Sequence, residues 1–216
     1  MKYCKNCILP DTRPNIKIQV DGICNSSKCR PHKSRINWKS REREFFTLVK
    51  KIKKKSMTYD CIIPVSGGKD STWQVITALK YKLKPLCITW KTPQRTIIGQ
   101  KNLDNLIKLN VDHVDFSLNP EVEKKLIYKS FYHEGSPALP MHMAIHNIPK
   151  LFAEKFKIPL ILWGENSAYE YGSSDKNLKG SNLSKKWRKE FGNIPKNFKK
   201  IGLNFSKKDL FPYYSN

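Results

Sequence analysis

The sequence predicts an α/β fold, a parallel sheet with helices on both faces, preceded by a small zinc-binding module. Three observations lead there. Short apolar runs alternate with stretches of helical periodicity between residues 58 and 172, the pattern of successive strand–helix–strand units. A glycine pair stands where the first run hands over to the first helix, and four of the six cysteines crowd into the opening residues.

Taken in chain order, residues 1–38 combine Cys4, Cys7, Cys24 and Cys29 with Pro10, Pro14, Gly22 and Pro31 and carry little apolar periodicity. Pairs of cysteines a few residues apart let tight turns aim sulfurs at one tetrahedral ion. A structural Zn2+ is therefore expected on Cys4, Cys7, Cys24 and Cys29, with His32 as an alternative to Cys29 across the wider second pair. So small a module has little core of its own, and metal binding would supply its folding energy.

Residues 39–57 read as a basic linker helix, with Phe45, Phe46, Val49 and Ile52 on one stripe. The domain at 58–172 begins with a strand at 60–65 and a helix carrying Val75, Ile76, Leu79 and Leu83. A strand at 85–90, a helix with Leu103, Leu106 and Ile107, and a strand at 111–116 follow. Helical patterns at 122–127 and 141–156 come next, with Pro149 expected to open the second of two helices. A fourth strand is expected at 159–163, and one further helix near 183–191. Residues 173–216 form a basic C-terminal segment, read as an incomplete acceptor or partner region.

The 216 residues carry 41 Lys and Arg against 18 Asp and Glu, a formal charge of +23. Residues 1–57 hold +12 of it, 58–172 only +3 and 173–216 the remaining +8. Basic flanks can follow a phosphate backbone. Lysine outnumbers arginine 34 to 7, however, and arginine is the residue that phosphate and nucleic-acid sites favour, so a dedicated nucleic-acid surface is not expected. With 39% hydrophobic residues wholesale disorder is excluded. No run approaches a membrane span, and Met1-Lys2-Tyr3-Cys4 opens no secretory signal, so a cytoplasmic chain is expected. Cys61 and Cys87 fall inside strands and read as core residues.

The chemistry concentrates in Ser66-Gly67-Gly68-Lys69-Asp70-Ser71. Paired glycines let backbone amides approach an anion, and the helix that follows directs its positive end at the same point. Ser66 and Ser71 offer hydroxyl donors, Lys69 supplies charge, and Asp70 can orient Lys69 or help hold Mg2+. The segment matches the SGGxDS signature of the PP-loop ATP pyrophosphatases, whose members cleave ATP between the α and β phosphates.

With both motifs in hand, the sequence resembles the N-acetyl sugar amidotransferase family of bacterial O-antigen and flagellar nonulosonic-acid biosynthesis. The likeness rests on the segments 4–14, 21–25 and 64–72, on Thr89-Trp90 with Gly99 and Asn102-Leu103, and on Trp163-Gly164-Glu165-Asn166 with Glu170-Tyr171-Gly172. The resemblance implies ATP-dependent conversion of a sugar N-acetyl group, on a nucleotide-linked sugar, to an acetamidino group. It implies Lys69 and Asp70 as catalytic residues, and Ser66 to Ser71 with Trp90, Gly164, Glu165 and Asn166 as the lining of the nucleotide or acceptor pocket. No glutaminase motif is visible, so the family implies a separate glutaminase and a cyclase-like channel subunit that deliver ammonia, similar to the two halves of imidazole glycerol phosphate synthase. Two other readings use the same features. One is a tRNA-modifying PP-loop enzyme, a thiolase or a lysidine-type ligase, and the other is a shortened binding remnant without activity.

Overall fold

The structure, a computed structural model, describes residues 1–13, 16–28, 36–164 and 205–214. These fall into two compact units, one within Met1–Glu44 and the other comprising Phe45–Gly164 and residues 205–214.

In the first unit two short antiparallel bridges, Tyr3 with Pro10 and Ile18 with Cys24, shape two turns around a small core of Cys4, Ile16 and Cys24. Gly22 takes φ +80°, a left-handed conformation, in the turn between Gln19 and Ile23. Among the described residues this apolar core is small.

Helix α1, Trp38–Lys53, has no acidic residue in its first turn and ends on Lys50, Lys51 and Lys53, which suits the negative end of its dipole. Within the second unit its Val49 joins the core, and Phe45 meets Tyr81 edge-on at 5.0 Å.

Three parallel strands follow in the order β1 (Cys61–Pro64), β2 (Pro85–Trp90), β3 (Asp112–Phe116). Helices α2 (Lys69–Lys80) and α3 (Ile97–Ile107) make the crossovers. Alternate residues point to opposite faces of the sheet. Cys61, Ile63, Val65 and Cys87 face a core made with Val75 and Ala78 of α2 and Leu103 and Leu106 of α3. Ile62, Leu86 and Ile88 face the other side, which is covered by α4 (Pro120–Glu134) and α5 (Leu139–Lys155). The expected parallel sheet with helices on both faces is thus what the chain forms.

Helix α4 is longer than its periodicity suggested. Asn119 caps Glu121 and Val122, Pro120 takes the first turn, and Gly135 closes the helix at φ +67°. The expected break at Pro149 is corrected: α5 runs on through it as one helix. Ala144, Asn147, Ile148 and Pro149 are all buried, so packing on the sheet outweighs the hydrogen bond that proline cannot donate. A short helix α6, Lys207–Leu210, opens with a capping box between Ser206 and Asp209, and Asn147 donates to the carbonyls of Phe211 and Pro212 at 2.9 and 3.1 Å.

The expected fourth strand is reduced to a single parallel bridge of Ile161 with Ile62, closed by Ile62 N to Leu160 O and Leu162 N to Ile62 O, both 2.9 Å. Since β2 occupies one edge of β1, this bridge lies on the other. The chain leaves β1 toward β2 and β3 and returns on its far side. The carboxyl end of β1 is therefore the point where strand order reverses, the position where open α/β sheets bind ligands. The expected helix near 183–191 lies outside the described residues. No described helix is long and apolar enough to cross a membrane.

Candidate functional site

The segment Ser66 to Ser71 sits at that reversal point. Val65 continues β1 by hydrogen bonding to Ile88 O at 2.9 Å, and the chain then turns through Gly67 at φ +78°. A Cβ there would stand 2.7 Å from the Leu103 nitrogen and 2.9 Å from the Asn102 carbonyl carbon, so the loop can rest against α3 only as glycine. Gly68 is the N-cap of α2 and brings no side chain to its first amides. These donors and the helix dipole stand open toward the loop, the arrangement that binds phosphate.

Two hydroxyls hold the loop in shape. Ser66 Oγ accepts from Gly68 N at 3.3 Å, while Ser71 Oγ donates to Gly68 O at 3.1 Å and accepts from Ser66 N at 3.4 Å. Ser71 is buried at the base and Ser66 is exposed at the rim. Lys69 Nζ pairs with Asp70 Oδ1 at 2.7 Å, and both side chains stand in solvent, 88% and 72% exposed. So open a pair contributes little to stability, and both groups are available to a ligand.

Gly164 lies beside α2, where a Cβ would meet Gln74 Oε1 at 3.1 Å. The return segment therefore approaches the helix that follows the loop. Gln74 Oε1 and Trp90 Nε1 are buried without a hydrogen-bond partner among the described residues, and a ligand atom at either place would satisfy them. Trp90 packs with the cluster under α4 and α5, on the opposite face of the sheet from α2. Glu165 and Asn166 lie outside the described residues.

Three polar side chains near the loop, His113, Arg95 and Asp115, escaped sequence reasoning, and Thr89 entered it only through the family likeness. Thr89 Oγ1 donates to Val65 O at 2.8 Å and lies 2.8 Å from His113 Nε2. Arg95 grips Asp115 with two hydrogen bonds, 2.6 and 2.8 Å, and also reaches Gln100 at 2.9 Å. Burial pushes the His113 imidazole below its ordinary value, with Asp115 opposing and Arg95 reinforcing the shift. The Arg95 guanidinium holds the Asp115 carboxyl below the usual carboxylate range. One signal for them was present: in Asp112-His113-Val114-Asp115-Phe116, His113 and Asp115 occupy one face of a strand at period two.

In the N-terminal unit, Cys4, Cys7 and Cys24 bring their sulfurs within 4.8 Å of one another, with Cys7 and Cys24 3.5 Å apart. Tetrahedral Zn–S bonds of about 2.3 Å place sulfurs about 3.8 Å apart, so the three fit a zinc ion. Backbone amides point at the sulfurs as thiolates require: Asn6 N and Cys24 N to Cys4 at 3.4 and 3.2 Å, and Ser27 N to Cys24 at 3.3 Å. Burial resists ionisation of Cys4, yet the amides of Cys24, Asn6 and Cys7 bring its thiol down to about 6. Cys7 is pushed up despite the Ser27 hydroxyl, through burial and the neighbouring thiols of Cys24 and Cys4. Cys29 and His32 lie outside the described residues.

Cys61 and Cys87 are fully buried, and burial pushes both thiols up to about 12. They are core residues and poor nucleophiles at neutral pH.

No family model and no curated protein matches the sequence. Among solved structures the chain is similar to an NMN synthetase from Francisella tularensis, with 16% identity, a TM-score of 0.47, and coverage of 75% of this chain and 73% of that one.

Proposed function

We propose that the chain is an ATP-pyrophosphatase-type amidotransferase that converts the N-acetyl group of a nucleotide-linked sugar to an acetamidino group. The observation that carries this reading is the S-G-G-K-D-S loop at the carboxyl end of β1, with an uncapped helix directly behind it. The residues shared with the N-acetyl sugar amidotransferases supply the choice of acceptor.

An amide carbonyl is a poor electrophile and must first be activated. Its oxygen attacks the α-phosphorus of ATP, the bond to pyrophosphate breaks, and an O-adenylated imidate forms. Ammonia then adds to the imidate carbon, the carbon–oxygen bond breaks, and AMP departs with the former amide oxygen. The amides of Lys69 and Asp70 and the exposed hydroxyl of Ser66 would hold the departing phosphates, with Ser71 bracing the loop from its base and Lys69 balancing charge as it develops. Asp70 is suited to Mg2+, which when bound neutralises phosphate charge. Trp90, Gly164, Glu165 and Asn166 are assigned to the pocket. The N-terminal zinc, on Cys4, Cys7, Cys24 and Cys29 or His32, would be structural.

Ammonia would come from a separate glutaminase through a cyclase-like channel subunit, in the cytoplasm where nucleotide sugars and ATP are held. Cys61 and Cys87 lie in the core and form no C-x-x-C pair, which argues against a thiolase of the kind that carries a catalytic cysteine pair in this domain. The test is pyrophosphate release from Mg-ATP and an ammonium salt with a panel of UDP- and CMP-linked N-acetyl sugars. Sugar-dependent release is expected. Release stimulated by tRNA and by no sugar would make the chain an RNA-modifying enzyme, and no release under any condition would mark a binding remnant.

A further inference from the structure

We infer that His113 and Asp115 of β3 are positioning residues for the phosphate loop, each acting on it by a different route. The significance for catalysis rests on the loop's reading as the ATP site; the geometry of the two routes does not.

The first route reaches the root of the loop. Val65, directly before Ser66, has its N–H on Ile88 O and its carbonyl on the buried Thr89 hydroxyl. That hydroxyl has one hydrogen, and it is committed to Val65 O. The 2.8 Å contact with His113 therefore requires Nε2–H of the imidazole to donate to Thr89 Oγ1. With an outside donor on its lone pair, Thr89 is held in the rotamer that clamps the loop's first carbonyl. Either the neutral Nε2–H tautomer or the imidazolium can perform this role, so the clamp does not depend on the His113 charge.

The second route reaches the tip. Asp115 fixes Arg95 through two oxygens, Arg95 holds Gln100, and Gln100 in turn donates to Asp104 at 2.7 Å. Thr96 caps the same helix through Gly99 N at 3.0 Å. These contacts fix the first turns of α3, and its Asn102–Leu103 backbone is the surface on which Gly67 rests. A shift of α3 would remove the wall behind the glycine. Strand β3 thus holds the root of the loop with one side chain and its tip with the next on the same face.

Hydrogen exchange resolved by segment, with the full chain, tests the inference without any ligand. His113→Ala and Asp115→Asn should each accelerate exchange at residues 65–71 about tenfold, on the order of one lost buried hydrogen bond, while the rest of β1 to β3 stays protected. His113→Gln, which restores an N–H donor at a similar reach, should return the loop to within about twofold of the parent. Should His113→Ala fail to fold, His113→Gln and Asp115→Asn decide. Unchanged loop exchange, acceleration spread evenly over the whole sheet, or a glutamine variant as fast as alanine would overturn the inference. Mg-ATP affinity of the same proteins separates the two claims. A parent that binds no ATP refutes the functional reading, while the exchange result still judges the positioning residues.

Discussion

The backbone of Gly67 lies so close to α3 that a single methyl group there would stand 2.7 Å from the Leu103 nitrogen. The contact joins the loop after β1 to the helix after β2. It accounts for the glycine twice over, through the left-handed φ of +78° and through the lack of space.

Gly67→Ala should accordingly cost about 1–2 kcal/mol in backbone conformation alone, and displace the loop from α3 as well. The expected outcome is a lowered thermal midpoint together with loss of ATP-dependent pyrophosphate release. A variant with parental turnover would show that the loop's shape has no part in the chemistry.

Asp70→Ala should behave in the opposite way on stability. Among the described residues its carboxylate is paired with Lys69 alone, and both side chains stand in solvent, so the change should lie within about 0.5 kcal/mol of the parent. Pyrophosphate release should nevertheless be abolished. Chemical denaturation and a coupled pyrophosphate assay on the same preparation check both halves, and retained turnover would place the site elsewhere.

The cysteine cluster should bind about one Zn2+ per chain, and Cys4→Ser or Cys24→Ser should remove it. A chelator should unfold the N-terminal unit, seen as new proteolytic cleavage within residues 1–44, because its apolar core among the described residues, Cys4, Ile16 and Cys24, is small. Metal analysis that finds a folded, zinc-free parent would refute the structural role.

Two half-buried histidines set a pH dependence. Burial lowers both His113 and His146 below their ordinary value of 6.5, so between the folded and unfolded values the unfolded chain binds more protons. Their contribution is complete above 6.5 and is lost as pH falls through that value toward the folded ones. Urea midpoints should therefore drop from pH about 7.5 to pH about 5.5, and His113→Gln should flatten the slope. A parent midpoint that does not fall over that range would contradict the burial of these rings.

The strands and the loop were legible because their signals are local. Pro85–Trp90 lies where its apolar run predicts, and β1 and β3 differ from expectation by one or two terminal residues. The loop was readable from six consecutive residues. Pro149 misled because the cost of a proline inside a helix is local, whereas the burial of the helix that carries it is not. The strand at 159–163 was over-read since an apolar run reports packing against the core, here only partial, and not the length of pairing. His113, Arg95, Asp115 and the contact that Thr89 makes stayed hidden for a related reason: Thr89 and His113 are 24 residues apart and Arg95 and Asp115 are 20 apart, and the parallel packing of β2 and β3 brings them together.

The most direct test of the central claim follows one atom. An N-acetyl nucleotide sugar carrying heavy oxygen in its amide carbonyl is incubated with the protein, Mg-ATP and ammonium, and the AMP produced is analysed by mass spectrometry. The label should appear in the AMP phosphate, in step with formation of the acetamidino sugar. AMP without label, or pyrophosphate released with the N-acetyl group intact, would contradict it.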